Sequence, residues 1–398
     1  MNQFYWPDVA ATSQHLTDLA EYLAARDFSV TILASGGRYS ADGDTAPSRQ
    51  RHNAVTIRRF RTTSLGRATH LGRIVDYLSF YVQVLGAALV GPRYDAVVYL
   101  TTPPLIPFIG WIARIARGQR YVIWSMDLHP AAEVAAGMLR DGSPVTRLLW
   151  AIWRRAYRRA DAVIALGEFM RERITAQGVA SDRVVVAPPW ARSFPSPQAS
   201  AVHALRATLG LEGRFVVMYS GNAGVVHEFG AITEAMRLLK DDYRFFFLFI
   251  GNGPRRREIE EFARVHTLKN FAYRNYLARA DVPAALAMAD AHLVSLRPEF
   301  AGISVPSKLY GIMAAGRPTL FVGPRESEPG QTVLNAEAGE VVEPAQAQPG
   351  ALVAAVLTRW LADADERARL GRNAKRAFRR NYELSRSCDR ISALLASR

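Results

Sequence analysis

The sequence predicts an α/β protein of two doubly wound, Rossmann-like domains facing each other across a cleft. Short apolar runs of strand length alternate with longer segments of helical spacing along most of the chain. The 398 residues exceed what one core holds, roughly 250 to 300. A proline- and serine-rich stretch without periodicity, 188–201 (PPWARSFPSPQASA), separates two halves of similar size. The domains are therefore placed at 1–190 and 191–375, followed by a terminal helical segment, 376–398.

In the first half, 12–25 has helical spacing and 28–34 reads as a strand. Only 1–6 precedes that helix, so the first strand of the sheet is expected to be short or missing, as a start placed too late would leave it. The polar segment 36–53 reads as a mobile loop, 54–60 as a strand, 71–89 as a long helix and 95–100 as a strand. The run 105–116 reads as an apolar helix edged with arginine and tryptophan, which is either buried against the sheet or laid on an anionic membrane face. The strand 121–124 delivers Asp127, His129 and Glu133 at its carboxyl end. Ligands of open α/β sheets sit at that end, and a carboxylate with an imidazole can hold or take a proton from a sugar hydroxyl. In 146–159 a Leu/Trp stripe shares a helix with five arginines, suited to lipid head groups or to plain solvation. Strands at 160–166 and 184–187 enclose a helix at 168–176.

The second half opens with a strand, 215–219, that runs into Gly221, Asn222 and Gly224, with His227 beyond. Glycines there let backbone approach a phosphate. The strand 243–250 leads to Gly251, Asn252 and Gly253, and 271–277 carries Tyr276, whose ring or backbone can lie against a nucleotide base. The strand 289–296 is followed by Glu299, Gly302, Ser307 and Lys308 and by a helix over 307–315, closed by Gly316-Arg317-Pro318 before an apolar run, 319–322. A helix start with free N–H groups and a lysine favours an anion such as a diphosphate. Three strand ends, at Gly221, Gly251 and Lys308, are thus expected on one edge of the sheet.

The net charge of +14 and pI near 10.2 call for an anionic partner: nucleic acid, an acidic membrane surface or a phosphorylated substrate. Cys388 is the single cysteine, which excludes an intrachain disulfide and a thiol metal cluster and points to a reducing, cytoplasmic compartment. No signal peptide is read in the opening residues, and prolines and charges break the apolar region 82–116, so no spanning helix is expected. No strand is followed by Gly-x-Gly-x-x-Gly, which disfavours a nicotinamide enzyme. No nucleic-acid recognition module is present, so no specific nucleic acid is expected.

Taken in order, the WPDVAAT loop with Thr12, DLHP, APPW, YSGN with His227, FIGNGP, and VPSKLY followed by MAAGRP resemble the bacterial glycosyltransferases of sequence family four, which have the GT-B fold. The resemblance spans nearly the whole chain and is strongest to the branch acting in surface polysaccharide and O-antigen assembly. It implies transfer of a sugar from a nucleotide donor, usually a UDP-sugar, with retention of configuration, no required metal ion and no cofactor. It places the donor on the second domain, with Gly221, Asn222, His227, Gly251, Asn252, Gly253, Tyr276, Glu299, Gly302, Ser307 and Lys308, and the acceptor on the first, with Thr12 and Glu133. The helix 373–395 is expected to cross back to the first domain, as in similar proteins. Asp127, His129 and Lys308 are the candidate catalytic residues; the acceptor is a lipid-linked or other saccharide, with an anionic membrane face as a further partner. Family members often carry arginine and lysine where Asn222 and His227 stand, and many have a ribose-binding glutamate at the place of Gly311. A nucleotide-sugar epimerase of the same fold and a basic nucleic-acid-binding protein remain as alternatives.

Overall fold

A computed structural model describes residues 1–8, 10–36, 47–63, 70–194, 198–278 and 280–397. The chain forms two compact units. The first comprises Met1–Pro189, Gly302–Ser304 and Leu384–Arg398, and the second Trp190–Ala301 and Val305–Glu383.

Among the described residues the first unit has seven strands: β1 (Thr31–Ser35), β2 (Arg49–His52), β3 (Val55–Phe60), β4 (Val97–Leu100), β5 (Tyr121–Trp124), β6 (Ala162–Ala165) and β7 (Val184–Val186). They pair in two sheets, β1-β3-β2 and β4-β5-β6-β7, all parallel except β2 with β3. The expected stub at 1–6 lies between them. Asn2 N–H donates to Leu33 O and Gln3 O accepts from Ser35 N–H, while Gln3 N–H donates to Thr102 O and Met1 O accepts from Leu100 N–H. Met1, Asn2 and Gln3 thus satisfy backbone groups of both neighbours although the run is too short to count as a strand. β5 and β6 are buried throughout, as strands covered on both faces must be. Part of the polar stretch 36–53 expected to be a loop is β2 instead, an edge strand pairing antiparallel with β3; its segment 37–46 lies outside the described residues.

The second unit has one parallel sheet in the order β10-β9-β8-β11-β12-β13, where β8 is Phe215–Ser220, β9 Phe245–Ile250, β10 Phe271–Arg274, β11 Ala291–Ser295, β12 Thr319–Val322 and β13 Gly339–Val342. Both faces are covered. One core gathers Phe245, Phe247 and Phe249 with helices Gly230–Leu238 and Pro349–Ala362; the other sets Met218 and Leu248 against Leu205, Leu211 and Met288. The strand order reverses between β8 and β11, so the loops after these two strands diverge and leave the crevice that such a reversal creates.

The terminal segment differs from the single helix expected over 373–395. Ala364–Asn381 and Leu384–Ala396 are separate helices, interrupted where Glu383 bridges Ala191 and Tyr382 lies against Tyr310 with ring centroids 4.8 Å apart. The second of them belongs to the first unit, where Arg120 donates to Leu394 O at 2.9 Å and Tyr22 to Asp389 at 2.6 Å. None of the described helices is long and apolar enough to cross a membrane.

Candidate active site

At the carboxyl edge of the second sheet, β8 and β9 end in glycine loops that interlock. Gly221 N–H donates to Ile250 O at 2.8 Å and Ala223 N–H to Asn252 O at 2.7 Å. Gly251 has φ +139° and a Cβ there would stand 2.1 Å from Gly221 O, so only glycine closes the contact. Asn252 and Asn222 are exposed at the rim, and Asn252 turns its own side-chain oxygen onto Gly253 N–H at 2.8 Å.

Lys308 reaches this loop pair from the other side of the strand reversal. It is the first residue of helix Lys308–Ala315, and its N-cap is Ser307, whose side chain makes no capping bond. Leu309 and Tyr310 donate to Pro306 O and Ser307 O; among the described residues, no acceptor stands against the amides of Ser307 and Lys308. The Lys308 ammonium donates to the Tyr219 hydroxyl, stands 3.7 Å from the centroid of that ring and is 3.4 Å from Asn222 O. A Cβ on Gly221 would come within 3.3 Å of Lys308 Cε. No carboxylate among the described residues pairs with this ammonium, and burial holds its pKa well below that of a free lysine.

His227 stands next to Tyr219, their ring centroids 5.9 Å apart. It is buried, donates through Nδ1 to Ser295 O at 2.6 Å, and is pushed well below the ordinary histidine pKa by burial and then by the Lys308 charge. The ring is therefore neutral near pH 7, with Nε2 as its remaining acceptor. Arg255 stabilises the loop from behind, donating to His227 O and to Glu258 at 2.7 Å and lying 5.2 Å over the Phe229 ring.

The structure brings Gly221, Asn222, His227, Gly251, Asn252, Gly253, Ser307 and Lys308 to one edge. Tyr276 lies on the loop after β10 and is 45% exposed. Glu299 is in a 3-10 turn, 54% exposed and 3.4 Å from Arg297, whose N–H donates to Val226 O, so it flanks the loop after β8. Gly302 belongs elsewhere. It has φ +69° and packs against Phe169 and Arg173 of the first unit, because Ile303 O accepts from Leu128 N–H and Ser304 bridges Asp127. Sequence reasoning missed Tyr219 and Arg255. Tyr219 reads as one more apolar strand residue, though its place next to the strand end was a signal.

In the first unit, the loop after β5 is held by Thr101, whose hydroxyl accepts from Met126 and Asp127 N–H, both at 3.1 Å. His129 Nδ1 is 2.7 Å from Glu133 Oε1 across one turn of the short helix Ala131–Ala135. Burial works against charge on the imidazole, but the hydrogen bond and charge of Glu133, with Asp127 nearby, raise its pKa above the ordinary value; Glu133 is correspondingly lowered despite its own burial. His129 also lines a small cavity with Thr101, Phe108, Trp153 and Tyr157. Thr12 sits in the first turn of helix Ala11–Ala24, and no hydrogen bond among the described residues joins it to Asp127, His129 or Glu133.

Residues 11–190 match a family model described as a glycosyl transferase 4-like domain, and residues 203–377 match one described as glycosyl transferases group 1. The chain is 26% identical to the putative colanic acid biosynthesis glycosyl transferase WcaI of Escherichia coli (strain K12), over 82% of this chain and 83% of that protein. It is 29% identical to the probable glycosyltransferase WbjE of Pseudomonas aeruginosa, over 65% of this chain and 64% of that protein. Among solved structures, WaaG, a glycosyltransferase involved in lipopolysaccharide biosynthesis, superposes with a TM-score of 0.70 at 19% identity, covering 100% of this chain and 99% of the other. Anabaena Alr3699/HepE in complex with UDP-glucose does so with a TM-score of 0.72 at 16% identity, covering 100% and 98%. With two α/β units and a family model matching each of them, the chain is a GT-B glycosyltransferase and belongs to the bacterial family-four group.

Proposed function

We propose that the protein moves a sugar from a UDP-sugar to a hydroxyl of a lipid-linked saccharide, with retention of anomeric configuration and without a metal ion, in the assembly of a cell-surface polysaccharide. The observation that carries this reading is Lys308: an ammonium at the point of strand reversal, set among neutral groups, with no carboxylate paired to it among the described residues. What supports the substrate class is the similarity to a protein named for colanic acid biosynthesis, and to structures named for lipopolysaccharide biosynthesis and for bound UDP-glucose.

In this reading the bond between the anomeric carbon and the diphosphate oxygen breaks, and the nucleotide leaves with the electron pair. The Lys308 ammonium and the amides of Ser307 and Lys308 stabilise the charge that grows there, which is the part a metal ion plays elsewhere. The acceptor oxygen bonds to the same carbon on the face the diphosphate leaves, and its proton passes to a base. Glu133 occupies Nδ1 of His129 and so leaves Nε2 to meet the acceptor hydroxyl. Because Glu133 favours the charged ring, His129 acts chiefly by orienting that hydroxyl, and Asp127 takes the proton. His227, neutral and uncharged by its neighbours, contributes a hydrogen bond rather than a charge to the donor.

The test is transfer measured with a panel of UDP-sugars on membrane extracts, with and without EDTA. Lys308→Ala is expected to lower kcat by about a hundredfold or more, the scale of a lost electrostatic stabiliser, with the melting temperature unchanged. A folded Lys308→Ala protein with near-normal transfer removes the reading. Loss of transfer in EDTA removes its metal-independent part. Epimerised UDP-sugar formed without acceptor would instead favour the epimerase alternative.

A further inference from the structure

Tyr219 is the next-to-last residue of β8 and is fully buried, so its hydroxyl needs partners inside the protein. It has two. The hydroxyl donates its single proton to Asn222 O at 2.9 Å and accepts from the Lys308 ammonium. With the proton committed to the carbonyl, the oxygen faces the lysine as an acceptor only. The ammonium is also 3.4 Å from that carbonyl and 3.7 Å from the centroid of the Tyr219 ring, so hydroxyl, carbonyl and ammonium form one closed set of contacts.

Packing alone does not call for this hydroxyl. Phe249 stands opposite Tyr219 in the register of β8 and β9, and the same core holds it as a plain phenyl ring. The two rings stack with centroids 5.3 Å apart, and Phe229 meets Tyr219 edge-on at 5.1 Å. Tyr219 is thus gripped on its strand, whereas Lys308 carries its charge on a flexible four-carbon stem. That stem passes Gly221, where a Cβ would come within 3.3 Å of Cε. A charge placed before the substrate arrives needs no reorganisation when charge develops opposite it.

We propose that Tyr219 is a positioning residue of the transfer reaction, whose hydroxyl and ring fix the Lys308 ammonium on the glycine loops in the place where the leaving diphosphate needs it. This rests on the catalytic reading of Lys308 given above. The other titratable groups around the pair are His227 on the loop after β8, Arg255 before helix Arg256–Val265, Tyr273 on β10 and Tyr276 beyond it. Burial pushes the Tyr219 hydroxyl well above the ordinary tyrosine value; Tyr273 and Tyr276 add to this and Arg255 opposes it. The hydroxyl therefore stays neutral and does not itself titrate near neutral pH. Arg255 is offset in turn by Glu258 and Glu228.

Tyr219→Phe keeps the ring and deletes the hydroxyl, and its melting temperature is expected to stay within a few degrees of wild type. Its kcat for transfer is expected to fall about tenfold, the contribution of one hydrogen bond to a charged group. The pH above which UDP affinity declines is expected to drop by about one unit, because the ammonium has lost an acceptor. In the Lys308→Ala background Tyr219→Phe is expected to lower kcat no further, since it acts through the lysine. A folded Tyr219→Phe protein with wild-type kcat and an unmoved pH dependence overturns the role and leaves that of Lys308 standing. An equal loss in both backgrounds makes Tyr219 a support of the loop and overturns it as well. Transfer that survives Lys308→Ala removes the catalytic reading, and this role with it.

Discussion

Lys308 owes its chemistry to its neighbours. Tyr219 supplies a hydroxyl and a ring face, both neutral, and burial lowers the ammonium pKa. A bound diphosphate would raise that pKa again, so nucleotide binding is expected to take up protons and to weaken as pH rises. Calorimetry of UDP binding in buffers of different ionisation enthalpy reads this directly; an enthalpy independent of the buffer contradicts it. The His129–Glu133 pair has the opposite sign. His129 is raised, so its stabilisation is complete below the unfolded histidine pKa and is lost as pH climbs through the higher folded value. Glu133 is lowered, so its share is present above the unfolded glutamate pKa and is lost as pH falls through the lower folded one. The pair is therefore strongest between the two folded values, and His129→Gln is expected to flatten the alkaline limb of the stability profile. Gly311 adds a third residue-scale case. A Cβ there would meet only Leu286 Cδ1, at 3.5 Å, and its backbone is ordinary helix, so no packing demand requires glycine. Gly311→Glu is expected to leave the melting temperature within a few degrees and, if the ribose lies where the family resemblance implies, to tighten UDP binding.

At the scale of elements, the carboxyl edge of the second sheet depends on two glycine loops locked together. Gly251→Ala would set a methyl 2.1 Å from Gly221 O at a φ of +139°. The contact is backbone to backbone and has no flexible end to yield, so a loss on the order of 2–4 kcal/mol in stability is expected, with nucleotide binding lost together with it. A denaturant midpoint equal to wild type would show that the loops are not interlocked. This same edge was the part of the site most open to sequence reading, because Gly221, Gly251 and Lys308 each follow an apolar run whose length identifies a strand, and parallel sheets gather such ends. The strands harder to read were those whose chemistry is carried by the backbone. Met1, Asn2 and Gln3 bond to neighbours on both sides without strand length, and Arg49–His52 is polar at every position because an edge strand needs no apolar face. Gly302 was assigned by proximity in sequence to Lys308; its turn returns the chain to Leu128, a long-range pairing that no local pattern encodes.

For the whole molecule, the excess of fourteen positive charges needs a destination larger than one diphosphate. Part of it lies on the first unit, where Val145 and Leu148 of helix Pro144–Arg159 are 57% and 61% exposed beside Arg147, and Ile115 of helix Pro107–Arg117 is 67% exposed. Trp153 and Tyr157 of the same helix face inward, stacked at 3.8 Å, so the helix is anchored to its unit and its outward apolar residues are left over from packing. Solvated arginines alone would not explain large aliphatic groups among them, whereas an acyl boundary beneath anionic head groups suits both. The protein is therefore expected to co-sediment with vesicles rich in phosphatidylglycerol and not with phosphatidylcholine alone, and to be released at about 1 M salt, where the screening length falls to roughly 3 Å. Val145→Glu with Leu148→Glu, on surface positions that leave the fold intact, should abolish sedimentation while sparing transfer to a soluble acceptor. Salt-sensitive binding to duplex DNA that survives both substitutions, with no vesicle binding, would assign the charge to nucleic acid instead.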